Sequence, residues 1–117
     1  MPARVDLHVP EHILSPVTAS QTIVGQTVEL SGAVSVSVQT TCTNGAAGTL
    51  TIMGSNQLGP KAFWVEVATQ TVPANQSVVL TNSLVDDVTG MHKMRARFVS
   101  SSAGNVQTSV NVRRTDY

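Results

Sequence analysis

A chain of 117 residues is enough for one domain with a single modest core, and too short for two. Seven basic residues balance seven acidic ones, and only 12% of positions are charged. This excludes the strong basic excess of a dedicated nucleic-acid binder and the high net charge of a disordered tail. No apolar run approaches the roughly 18 residues of a membrane span, so no membrane partner is expected. The single cysteine, Cys42, leaves no intramolecular disulfide framework. Met1-Pro2-Ala3-Arg4-Val5-Asp6 carries an early acid and no apolar stretch, so we expect no secretory signal and a reducing, cytoplasmic site of synthesis. With 19 Val, 14 Thr and 12 Ser and few helix formers, the composition is all-β. β-branched side chains fit a pleated, half-buried surface and lose rotamer freedom in a helix.

Residues 1–20 differ from the rest. Pro2, Pro10 and Pro16 each fix φ, remove a donor and push the preceding residue to extended geometry. This predicts an extended N-terminal arm over 1–20, with Val5-Asp6-Leu7-His8-Val9 as a short strand. Stretched out, twenty residues reach about 65–70 Å, so the arm can lie on its own domain or cross to a neighbour. Over 21–117 a regular period-2 pattern sets in. Thr22-Ile23-Val24 leads to a turn at Gly25, and Val28 and Leu30 alternate with polar residues up to a bend at Gly32. Val34, Val36 and Val38 alternate with Ser35, Ser37 and Gln39. Asn44-Gly45 accepts the positive φ of a primed turn. Leu50 and Ile52, then Phe63, Val65 and Val67, then Val78–Leu80 predict further strands. Met94, Ala96 and Phe98 alternate with Lys93, Arg95 and Arg97, and Val106, Val110 and Val112 close the pattern. Seven or eight short strands separated by Gly, Asn, Pro and Ser clusters predict an antiparallel β-sandwich, jelly-roll or immunoglobulin-like, with one buried and one wet face per sheet.

Candidate chemistry is sparse. His8-Val9-Pro10-Glu11-His12 matches the letters of an H-x-x-E-H zinc motif. That mechanism needs a helix, and Pro10 opposes one; the plainer reading is a polar arm whose histidines make assembly pH-sensitive. Asp86-Asp87 offers hard oxygen ligands but no EF-hand spacing, and reads as a turn. Cys42 would need a base, and His92 is the one histidine of the β domain. At the end of a Val-rich strand a thiol behaves as a small hydrophobe. No nucleophile elbow, phosphate loop or dinucleotide fingerprint is present. We therefore expect no enzyme activity, no cofactor and no metal. Asn75-Gln76-Ser77 fits a glycosylation sequon that carries no meaning without secretion.

The basic concentration is Lys93, Arg95 and Arg97, projecting from one sheet face. It reads either as an ordinary solvated face or as a docking patch for an acidic partner. Arg113 and Arg114 could extend it. Nucleic acid fits less well, because aromatics to stack bases are almost missing. Trp64 falls out of phase with Phe63 and Val65. It is either a wet-face residue, suited to anchoring an interface or stacking on a sugar, or a core residue after a bulge.

Gly48-Thr49-Leu50-Thr51-Ile52-Met53-Gly54-Ser55-Asn56 resembles a strand found in small β-sandwich virion proteins of tailed bacteriophages. In those proteins a loop then leads to a Trp strand, here Phe63-Trp64-Val65-Glu66-Val67. Next come a strand like Met94-Arg95-Ala96-Arg97-Phe98-Val99 and a final Val-alternating strand. The chain departs from that pattern at Gln57-Leu58-Gly59-Pro60-Lys61. The resemblance implies a non-enzymatic virion structural protein, assembled in the host cytoplasm. The first expectation is a capsid decoration (cement) protein, a dimer or trimer that binds the major capsid protein and stabilises the outer lattice. An ordered arm must bury itself to offset about 1–2 kcal/mol of backbone entropy per residue, and a neighbouring subunit supplies the surface. The expected contacts are Val5, Leu7, Val9, Ile13 and Leu14 on the arm, and Trp64, Lys93, Arg95 and Arg97 on the sandwich. A tail, neck or baseplate component, and a carbohydrate-binding or host-adhesion module, are the alternatives.

Overall fold

The computed structural model describes residues 3–30, 33–56, 63–80 and 91–116. Gly32, the 57–61 loop and Asp86-Asp87 lie outside the described residues, as do the side chains of Val5, Leu7, Val34 and Arg114. Among the described residues nine strands follow in chain order: β1 (Ala3–Val17), β2 (Thr22–Val24), β3 (Val28–Glu29), β4 (Ala33–Thr43), β5 (Ala47–Ser55), β6 (Val65–Val72), β7 (Ser77–Leu80), β8 (Lys93–Ser102) and β9 (Gly104–Asp116). They form two antiparallel sheets. The first runs β1-β9-β4-β7 and the second β2-β8-β5-β6, with β3 also on β8.

Because β2 and β3 lie on the same edge of β8, they act as one strand interrupted at residues 25–27. So counted, the eight described strands switch sheets at every step except β5 to β6, the order of a jelly roll rather than an immunoglobulin domain. Several strands are longer than the turn signals suggest: β1 spans 15 residues, β9 13 and β4 11. The segment expected as an arm is, in this chain, the edge strand of the first sheet. It pairs with β9 from Ala3–Asp116 to Val17–Gly104.

Period 2 explains the core. On β5, Leu50 and Ile52 face inward opposite Phe98 and Ala96 of β8, and all four are fully buried. On β4, Val36 and Val38 meet Val112 and Val110 of β9 in the same way. The alternation also carries Thr40 and Thr108 inside, where they lie opposite one another. Their hydroxyls hydrogen-bond at 2.9 Å, so neither is left unsatisfied in the dry interior. Asn44 and Gly45 have φ of 55° and 87°, the left-handed pair that the Asn-Gly dipeptide predicts. This turn does not close a hairpin within one sheet; it carries the chain from the first sheet to the second. Asn75 Oδ1 accepts the Gly45 N–H at 3.0 Å, tying this corner to the β6–β7 corner that returns the chain.

Candidate functional site on the outer face of the second sheet

On β8, inward Met94, Ala96 and Phe98 leave Lys93, Arg95 and Arg97 for the outer face, as the pattern predicts. Across the ladder these three pair with Ser55, Met53 and Thr51 of β5. Beyond β5, the register with β6 slips. Ile52 pairs with Ala68 and Met53 with Glu66, so Val67 is an extra residue on β6. The bulge sets Glu66 within reach of the cations, and Arg97 Nη2 donates to Glu66 Oε1 at 2.5 Å. Trp64, immediately before β6, is half-buried. Arg95 Cζ stacks 4.2 Å from its ring centroid and Lys93 Nζ lies 5.9 Å away. Phe63 and Val65, in the opposite phase, remain exposed at the rim, Phe63 at 77%.

This layer covers the sheet. Thr51, Met53 and Ser55 face outward yet are buried, so β5 is enclosed on both faces. Lys93 itself is buried to 8% exposure and offers a partner less than its place in the sequence suggests. Arg95 differs. No carboxylate pairs with it among the described residues; its Nε, like that of Arg97, is buried with no hydrogen-bond partner. A guanidinium laid on an indole gains cation–π stabilisation. It keeps a planar fork of donors that matches a carboxylate.

The arm residues separate. Val9 packs partly against the core. Ile13, expected as a contact for a neighbour, is buried at 2% exposure in the core of its own sandwich, because it pairs with inward-facing Thr108. Leu14, one residue on, is 58% exposed. With Pro16 it lines one end of a hollow of about 260 Å³ on the outer face of the first sheet.

The two histidines of the H-x-x-E-H run are not brought together. His8 is exposed and pairs with Asn111 on the outer face. His12 turns into the sandwich at 6% exposure. Between the pairs Val9–Val110 and Ile13–Thr108, β1 advances four residues while β9 advances two. His12 lies in the excess. Its Nε2 accepts the Ala96 N–H of β8 at 2.9 Å, opposite the gap between β2 and β3, while the Ala96 carbonyl accepts the Gly25 N–H. Gly25 is required here: a Cβ would lie 2.1 Å from His12 Nε2. Desolvation holds the His12 pKa down at about 4. Neither this interior role nor that of Glu66 is legible in the sequence reading. The glycine at the β2–β3 break is the signal that could have prompted a search for what lies against it.

Cys42 is fully buried, and burial pushes its thiol up from its ordinary value. His92 lies at the other end of β5: its N–H bonds the Ser55 carbonyl, whereas Cys42 bonds Gln76. The two do not form a nucleophile–base pair.

No protein-family model matches the chain, and no curated protein matches it by sequence. Among solved structures it is similar to the Bacillus endospore appendages described as disulfide-linked pili, at 14% identity and a TM-score of 0.62, over 100% of this chain and 92% of that one. It is similar to the SPBc2 prophage-derived protein YomS at 11% identity and a TM-score of 0.55, covering 97% of this chain and 95% of that one. The PBSX exported protein XepA matches at 15% identity and a TM-score of 0.58, over 96% of this chain but only 37% of its own. At these identities the likeness is one of fold.

Proposed function

We propose that the chain is a non-enzymatic structural subunit of a virion, a decoration protein that docks on the outer face of a capsid lattice. The observation that carries this reading is Arg95 stacked on Trp64 with its fork of donors unpaired among the described carboxylates. A sheet face carrying a half-buried aromatic–guanidinium pair fits a protein surface that presents acids. The jelly roll is compatible with capsid proteins and with many other functions, so the fold contributes permission rather than proof. Exposed Leu14, beside Pro16, supplies a second apolar contact for assembly into a dimer or trimer. The resemblance to tailed-phage virion proteins agrees with both.

The test begins with density-gradient-purified particles from a culture that makes this chain. Quantitative mass spectrometry is expected to find the chain banding with capsids in amounts comparable to the major capsid protein. Purified chain should rebind capsids stripped of it, and Arg95→Glu should reduce that binding at least tenfold, with a strong salt dependence. Absence from the particles overturns the reading. Banding with tails alone moves the chain to the tail, neck or baseplate.

A further inference from the structure

His12 is the single buried side chain through which β1, a strand of the first sheet, hydrogen-bonds the second sheet among the described residues. Everything around it is specialised. The strand carries extra residues at that point, the opposing strand is broken there, and Gly25 removes the Cβ that would occupy the ring's place. Because Nε2 accepts from Ala96, the neutral ring carries its proton on Nδ1. That atom is buried with no hydrogen-bond partner. The site therefore tolerates one protonation state. An imidazolium would set an N–H against the Ala96 N–H and leave a buried charge.

We infer that His12 is an acid-sensitive latch for the N-terminal strand: the neutral ring fastens β1 to the second sheet at Ala96, and protonation unfastens it.

Among the described residues no acid faces the ring to hold the charged form. On β1, Glu11 is exposed and His8 lies on the outer face. On β8, Arg95 and Arg97 flank Ala96 but belong to the outer face of the second sheet. Gly25, Gln26 and Thr27 carry no titratable group, and Glu29 of β3 is exposed opposite Lys93. On β9, the neighbouring inward residues are Thr108 and Val110.

The sign follows from linkage. The ring's pKa is about 4 when fastened and about 6.5 when released. The latch is at full strength above pH 6.5 and weakens as pH falls toward 4, because the released strand takes up the proton first. Between pH 6.5 and pH 4 the equilibrium for release shifts by about 80-fold. Release uncovers the β9 edge and withdraws Ile13 and Val17 from the core, whatever partner the chain assembles with.

The test is amide exchange on the full chain at pH 7, 6, 5 and 4.5, corrected for the intrinsic rate. Protection in β1 should fall about 20-fold between pH 7 and 5 relative to β5, and His12→Gln, whose amide oxygen can accept from Ala96 but does not titrate, should abolish the fall. His8→Gln and His92→Gln should leave it unchanged. Constant protection in the wild type, equal loss in β5, or an unaltered pH dependence in His12→Gln would each overturn the inference. If His12→Gln does not fold, imidazole nitrogen shifts of the wild type decide. A neutral ring protonated on Nδ1 at pH 5.5 supports the latch, and a charged ring within a protected β1 refutes it.

Discussion

On the outer face of the first sheet, β9 presents Asn105, Gln107, Ser109 and Asn111 beside Thr43, Thr41, Gln39 and Ser37 of β4. These side chains are uncharged and exposed or half-exposed; Gln39 donates to the Ser77 hydroxyl of β7, which also shares a hydrogen bond with the Thr41 hydroxyl. On the outer face of the second sheet, the side chains lie down on one another. Arg95 stacks on Trp64, Arg97 bonds Glu66, and beneath them Thr51, Met53 and Ser55 are lost from solvent. One face is a hydrated lid over a single core. The other holds a thin second layer of packing, in which charged side chains cover apolar area with their stems. The difference teaches that strict alternation describes β4 and β9 and fails at β5.

The largest effects should come from β1, where neighbours in sequence face opposite ways. Ile13→Ala is expected to cost about 2–5 kcal/mol, the range for emptying a buried aliphatic site. Leu14→Ala should stay within about 0.5 kcal/mol. Urea denaturation of the two variants checks this, and equal costs would mean that β1 is not seated as described. Next is the contrast between the faces. Met53→Ala should cost about 2–3 kcal/mol although Met53 points outward, and Gln107→Ala, outward on the first sheet, about nothing. Comparable losses at both positions would dissolve the distinction between lid and second layer. Gly25→Ala should cost about 1–3 kcal/mol by overpacking against His12. The same substitution paired with His12→Ala should cost less than the sum of the two, because removing the ring vacates the space.

How much of this was legible can be followed residue by residue. Val36, Val38, Leu50, Ile52, Met94, Ala96 and Phe98 are read correctly from period 2 alone, since each lies on a strand whose ladder runs without a slip through that stretch. The reading weakens where the register shifts. Val67 is an extra residue, so Phe63 and Val65, apolar and in phase with it, end exposed while Trp64 is half-covered. His12 looks like an arm residue because its partner, the Ala96 N–H, is 84 positions away and is a backbone group. No side-chain pattern announces a backbone donor freed by a strand break. Ile13 looks like an anchor for a neighbour because apolar character says that a residue is buried, and not in which chain.

The smallest effects are the most diagnostic of the second layer's chemistry. Trp64 and Arg95 form a stacked pair, while Arg97 and Glu66 form an ion pair whose side chains are 30% and 58% exposed. In double-mutant cycles the first coupling is expected at about 0.5–1 kcal/mol and the second at about 0.2–1 kcal/mol. They should part company in salt. Between 0.05 and about 1 M NaCl the Debye length contracts to roughly 3 Å, so the exposed ion pair should lose most of its coupling. The stack, half-buried and close, should keep most of its own. If both couplings vanish together, Trp64 contributes no desolvated contact and Arg95 is an ordinary surface cation. The case for a carboxylate-binding fork at the centre of this face then fails with it. If only the ion pair fades, Arg95 is already oriented by the indole before any partner arrives, and a docking acid meets a donor that needs no further ordering.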